Sequence, residues 1–82
     1  MKLIKTKHFK PSTAGETAAL EAYVALEPNN PPALTTTYLH ACKRGLPVDL
    51  FYRFVSEIEQ DPYIRNKGAV FNKKVEDYFE KH

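Results

Sequence analysis

The stretch 50–58 constrains the fold most, because its apolar residues recur at a helical spacing. Positions i, i+1, i+4, i+5 and i+8 are occupied by Leu50, Phe51, Phe54, Val55 and Ile58. This spacing gathers the side chains on one stripe of a helix with 3.6 residues per turn. A stripe with two phenylalanines needs other elements to cover it, so the pattern predicts a central packing helix. Phe54→Ala is expected to cost about 3–5 kcal/mol by leaving a cavity.

Capping and helix-breaking residues divide the rest of the chain into further helices. Thr13 and Glu16 fit a capping box, in which Thr13 accepts from the amide three residues on and Glu16 reaches back. Asn30 is a good N-cap before two prolines, Gly45 favours a left-handed helix end, and Asn66 caps the last helix. The sequence therefore predicts an all-α bundle of about four helices, at 14–26, 32–44, 47–60 and 67–81.

Apolar periodicity also predicts which side chains cover the central helix. Val24 falls on the apolar stripe of the first helix, Tyr38 on that of the second and Phe71 on that of the last. The turn 62–66 is expected to place Tyr63 and Ile64 against the core. The run 35–38, Thr-Thr-Thr-Tyr, favours strand over helix, so it predicts an irregular start to the second helix.

Length and cysteine content limit the kinds of protein this chain can be. Its 82 residues predict a single domain over 1–82, and 43% hydrophobic content is enough for a core. Cys42 stands alone, which excludes an internal disulfide and predicts a reducing, cytoplasmic compartment. The apolar runs are far shorter than the roughly 20 residues that cross a bilayer, and no secretory signal is expected.

Positive charge is concentrated at the start of the chain. The net charge is +2, and four lysines lie within the first ten residues, so everything after them sums to −2: Lys2, Lys5, Lys7 and Lys10. Residues 1–12 are therefore predicted to form a basic arm, either loose or laid across the bundle as an extended strip, and an arm partly pinned by Ile4 and Phe9 is favoured. Such an arm is typical of a site for phosphate or an acidic partner, and lysine-rich tails also serve solubility alone.

The residues that carry catalysis or metal binding are sparse. His8, His40 and His82 are far apart in the sequence, and His40 and Cys42 point to different sides of a helix. Cys42 is interpreted as a small hydrophobic residue rather than a reactive thiol. The chain has no glycine-rich phosphate loop and no zinc-protease or hydrolase motif. The sequence predicts a protein that is not an enzyme, with no cofactor, metal or small-molecule substrate.

A second set of cations is the candidate nucleic-acid site. Six further cations belong to this site together with the lysines of the arm: Lys43, Arg44, Arg65, Lys67, Lys73 and Lys74. These residues form one basic face if packing brings them together, although Glu76, Asp77 and Glu80 divide the charge of the last helix. The Gly45 corner loosely resembles a helix-turn-helix, but the helix that follows is net acidic and unsuited to the major groove of DNA.

The segment 61–71, DPYIRNKGAVF, adds a resemblance to a protein family. Its basic residue, asparagine, small residues and phenylalanine are similar to a passage in helical tails of phage and plasmid DNA-replication accessory proteins, of DnaD-like or helicase-loader type. The resemblance implies an accessory of DNA replication from a mobile element that contacts DNA or a replisome protein. The absence of a nucleotide-binding motif excludes a loader ATPase.

Two functions therefore remain as expectations from the sequence. The first is a small, non-catalytic, nucleic-acid-associated accessory of replication or transfer that uses the cations above. The alternative is a protein–protein adaptor or homodimerising domain with no nucleic-acid role, in which Tyr52 and Tyr63 form the contact and the lysines only solubilise. Salt-dependent binding of DNA or RNA distinguishes the two.

Overall fold

Four helices make up the part of the chain that the structure, a computed structural model, describes, residues 10–81. They are α1 (Ala14–Leu26), α2 (residues 31–44), α3 (Val48–Glu59) and α4 (Lys67–Lys81). All four helices predicted from the sequence are present, with ends that differ by at most one residue. The all-α bundle is confirmed, and no strand occurs within residues 10–81.

The start of α1 follows its predicted cap with one difference. Thr13 Oγ1 accepts a hydrogen bond from the backbone amide of Glu16 at 3.1 Å, as expected. The Glu16 carboxylate does not return to Thr13, because Ser12 lies closer: its backbone amide donates to Glu16 Oε1 at 2.8 Å and its hydroxyl at 3.0 Å. The cap of α1 therefore involves Ser12 as well as Thr13 and Glu16, the two residues that the sequence motif predicts.

Helix α2 is irregular where its threonines lie. It is α-helical over Pro31–Ala33, π-helical over Leu34–Leu39 and α-helical again over His40–Arg44. The Thr36 hydroxyl donates to the Pro32 carbonyl at 3.1 Å, a side-chain bond that competes with the regular backbone ladder. The helix is irregular at this run as predicted, but the irregular stretch follows an α-helical start instead of forming the first turn, and it is an i→i+5 helix. Gly45 ends α2 at φ 98°, the left-handed conformation that the sequence predicts.

Phe71 of α4 is the centre of the core. It is fully buried, and its ring lies 4.7 Å from that of Tyr38, 5.9 Å from that of Phe51 and 6.1 Å from that of Phe54. Tyr23 extends this aromatic cluster to α1 through an edge contact with Tyr38 at 6.1 Å. Since every helix contributes a ring, this cluster joins all four helices in one core.

The stripe on α3 is only partly buried. Phe51 and Ile58 are fully covered, whereas Phe54 is half-buried and packs at the edge of the core. We therefore expect Phe54→Ala to cost less than the roughly 3–5 kcal/mol predicted from the sequence, since part of that ring already lies in water. On α1 the prediction for Val24 is wrong, because its side chain is 50% exposed and small residues, Ala18 and Ala22, pack into the core instead.

The connection between α3 and α4 turns Tyr63 outward. Asp61 Oδ1 accepts from the backbone amide of Tyr63 at 3.0 Å, and the amide of Ile64 donates to the Asp61 carbonyl at 3.4 Å. Ile64 then packs against the core as predicted, but Tyr63 is 88% exposed, so its predicted burial is wrong. Asn66 caps α4 as expected, accepting from the amide of Ala69 at 3.0 Å.

Glu27, just after α1, joins three helices. Its carboxylate accepts from the Tyr38 hydroxyl at 2.9 Å and from Asn30 Nδ2 at 3.1 Å. The Asn30 side chain therefore donates to Glu27, three residues before it, and makes no cap bond to α2, contrary to the sequence prediction. The same carboxylate lies against the backbone of Gly68, so closely that a Cβ at this position would overlap it. Glu27 thereby links the end of α1 to α2 and lies against the first turn of α4.

Candidate nucleic-acid interface

At one end of the bundle, the residues that lead from the predicted arm into α1 lie near the end of α2. Glu16 lies close enough to Lys43 for the lysine to contribute to the lowered pKa of its carboxyl, although the Ser12 hydrogen bonds are the larger cause. Gly15 approaches Cys42 so closely that a Cβ would lie 2.9 Å from its sulfur. Lys10, two residues before Ser12, is exposed at this same end. We call Lys10, Lys43 and Arg44 the arm-end cations.

Arg44 has fixed partners within this set. Its guanidinium donates to Glu76 at 2.8 Å and lies 4.2 Å from the centre of the Phe79 ring. Both contacts hold the side chain against α4, and Glu76 neutralises part of its charge. Lys2, Lys5 and Lys7, the remaining lysines of the predicted arm, lie outside the described residues. In the sequence they precede Lys10, so they are joined to the domain at this end.

Arg65 and Lys67 lie at the other end of α4. Lys67 begins the helix and Glu76, the partner of Arg44, lies nine residues on, which is about 13 Å along a helix axis. Within residues 10–81, neither Arg65 nor Lys67 forms an ion pair. Along α4, the predicted cations are therefore divided between the two ends of the helix.

Lys73 and Lys74 are both paired with carboxylates. Lys73 lies 3.6 Å from Asp77 on the same helix, and Lys74 donates to Glu57 of α3 at 3.0 Å. Arg53 approaches Glu57 as well, at 3.5 Å, and the hydrogen bond from Lys74 is the main reason why the pKa of Glu57 is lowered. These two lysines thus belong to a mixed-charge surface, which attracts phosphate less than unpaired lysines do.

The two tyrosines predicted to contact a partner differ in their surroundings. Tyr52 of α3 is 44% exposed, and a hydrogen bond to Glu21 raises the pKa of its hydroxyl. Tyr63 extends from its loop with 88% of its surface exposed. Tyr63 is therefore the aromatic side chain that a ligand reaches most easily in the described part of the chain.

The sequence gives no indication of a groove between α3 and α4. The groove has a volume of about 320 Å³, with Leu50, Phe54 and Tyr78 as its apolar lining. Charged side chains of both signs surround it, among them Arg53 and Lys81. Phe54 is half-buried and lines this groove, whereas periodicity alone assigns that residue to the core.

The described residues contain no arrangement that favours metal binding. In this part of the chain, no three His, Cys, Asp or Glu side chains are grouped closely enough to hold a metal ion. Burial is the main cause of the raised pKa of the Cys42 thiol, which opposes formation of the reactive thiolate.

No protein-family model matches this chain, and neither a curated protein nor a solved structure matches it. Among the helices of residues 10–81, none has the length and apolar character that crossing a membrane requires.

Proposed function

We propose that this chain is a small, non-catalytic binding module that associates with nucleic acid, as an accessory of DNA replication or transfer in a mobile element. The observation that carries the proposal is that the exposed Lys43 lies near Glu16, at the end of the bundle where the chain enters α1 from the exposed Lys10. Lys2, Lys5 and Lys7 precede Lys10 in the sequence and are proposed to add to this positive charge. The resemblance of segment 61–71 to helical tails of replication accessory proteins supports the cellular context.

Charge at the arm end suits the phosphate backbone better than it suits base recognition. Lysines bind phosphates as point charges and carry no information on sequence. The outer face of α3, in contrast, carries Asp49, Glu57 and Glu59 against Arg53 alone, which disfavours its entry into the major groove. The proposed binding is therefore electrostatic and independent of base sequence.

Fluorescence anisotropy of a labelled duplex, titrated at several salt concentrations, tests this proposal. Lys10→Ala/Lys43→Ala is expected to weaken binding and to reduce the slope of log K against log salt by about 1.8, since each phosphate contact releases close to one counterion. The matched control is Arg53→Ala/Lys73→Ala, which removes the same charge from residues paired with Glu57 and Asp77. It should leave the slope nearly unchanged. Absence of binding at low salt, or an equal loss in the control, would contradict the proposal.

The groove between α3 and α4 favours a second candidate, an adaptor or homodimerising domain. Leu50, Phe54 and Tyr78 offer apolar surface between charged side chains, as protein interfaces do. Sedimentation velocity at several concentrations tests the homodimer. A strict monomer excludes it, whereas an association constant that is insensitive to salt favours it over the nucleic-acid proposal.

A further inference from the structure

The loop between α3 and α4 holds an aromatic side chain in water. Tyr63 is 88% exposed, although tyrosine in a small domain normally covers apolar surface. Two contacts fix this orientation: the Asp61 carboxylate accepts from the Tyr63 amide, and Ile64 is packed on the core directly after it. The exposure of Tyr63 therefore follows from the hydrogen bond of its amide to Asp61 and from the packing of Ile64 on the core.

Two cations accompany this ring. Arg65 directly follows Ile64 and is exposed, and Lys67, which is half-buried, begins α4 two residues later. The only carboxylate in the loop, Asp61, accepts from the Tyr63 amide. Glu27, whose carboxylate lies against Gly68, accepts from Tyr38 and Asn30. The first backbone amides of α4 are not part of the proposed phosphate site, because one of them, the amide of Ala69, already donates to Asn66. We call Tyr63, Arg65 and Lys67 the Tyr63 surface.

We propose that the Tyr63 surface binds single-stranded nucleic acid, with one base stacked on Tyr63 and the adjacent phosphates at Arg65 and Lys67. This inference rests on the proposed function and goes beyond it by naming the form of nucleic acid and a second contact. An aromatic ring stacks on any base, but only when that base is unpaired and its face is open. A duplex keeps those faces stacked on each other.

An acidic protein segment is the competing ligand for this surface. It would use Arg65 and Lys67 in the same way but would gain little from an aromatic ring, since carboxylates do not stack. The ring with its open face therefore favours the nucleic acid. The contribution of the ring, rather than that of the charges, is what the test must isolate.

The experiment measures anisotropy of a labelled oligothymidylate and of a blunt hairpin duplex with the full 82-residue chain. Tyr63→Ala is expected to weaken oligothymidylate binding roughly fivefold or more and to leave the duplex unaffected. Tyr63→Phe keeps the ring and should stay within about twofold of the unaltered chain. Tyr52→Ala, which removes another exposed tyrosine, is the matched control. A strand that carries 5-iodouracil should photocross-link to Tyr63.

Each remaining outcome would overturn the inference in a recognisable way. If Tyr63→Ala binds the single strand normally while Lys10→Ala/Lys43→Ala binds poorly, the stacking site is wrong and the proposed function stands. If the unaltered chain binds neither oligonucleotide at low salt, both fail. If polyglutamate competes as well as the oligothymidylate and depends equally on Arg65 and Lys67, the surface binds an acidic protein segment instead.

Discussion

Tyr38→Phe is the substitution that tests the Glu27 junction most directly. It keeps a fully buried ring in place and removes only the hydroxyl that donates to Glu27 at 2.9 Å. A hydrogen bond to a charged group stabilises a protein by about 1.5–3 kcal/mol. Glu27 is only half-buried and keeps its bond from Asn30, so we expect the lower part of this range, about 1.5–2 kcal/mol.

Tyr23→Phe is the matched comparison. Tyr23 is equally buried, but its hydroxyl donates to a neutral acceptor, the Pro28 carbonyl, at the longer distance of 3.3 Å. Its loss should cost about 0.5–1 kcal/mol. Urea unfolding followed by circular dichroism measures both variants, and with a slope near 1 kcal/mol/M their midpoints should differ by about 1 M. Equal midpoints would refute the role given to the charged acceptor.

Gly68→Ala extends the test to α4. The added Cβ would overlap the Glu27 carboxylate, which must then move away from its two donors. The substitution is thus expected to destabilise the fold, although alanine favours helix over glycine by about 1 kcal/mol. The loss of stability caused by Gly68→Ala should be smaller in the Tyr38→Phe background, because Glu27 there lacks the hydrogen bond from Tyr38. Strictly additive effects in this double-mutant cycle would show that Glu27 does not connect the two positions.

Two further predictions concern the core and the charged surface. Phe71→Ala should cost about 3–5 kcal/mol in urea unfolding and Phe54→Ala clearly less, since the first ring is fully buried and the second is not; the reverse order would contradict the assigned core. Because Lys74 lowers the pKa of Glu57 in the folded state, this pair contributes stability above the usual glutamate pKa of roughly 4.3, and the contribution is lost as pH falls through the lowered value. Glu57→Gln should therefore lose less stability than the unaltered chain between about pH 5 and pH 3, as thermal unfolding across that range would show.

Local sequence signals predicted the helices well. Thr13, Gly45 and Asn66 each act on backbone groups within a few residues, so their effect does not depend on the rest of the fold. In α2, the Thr36 hydroxyl likewise makes a local bond, to the Pro32 carbonyl, within the run that the sequence marks as irregular. These features depend on contacts between residues that are close in the sequence.

Contacts between distant residues decided the parts that periodicity could not predict. Val24 lies on the apolar stripe of α1, yet Ala18, Ala19 and Ala22 face the core because small side chains let neighbouring helices approach. The Arg44–Glu76 pair joins residues 32 positions apart, so the neutralisation of that cation cannot be read from either segment. The exposure of Tyr63 could not be predicted for the same reason, because it depends on how Ile64 packs against the core.

The π-helical stretch of α2 has a consequence for how the length of this chain can change. An i→i+5 hydrogen bond closes a ring one residue larger than that of an α-helix, so Leu34–Leu39 accommodates one residue that an α-helix does not need. Thr35 and Thr36 are exposed and lie within this stretch. We expect deletion of either one to restore an uninterrupted α-helix with the fold retained, and loss of the helical circular dichroism signal would contradict this. Helix α2 is therefore the place where relatives of this chain are expected to differ by one residue.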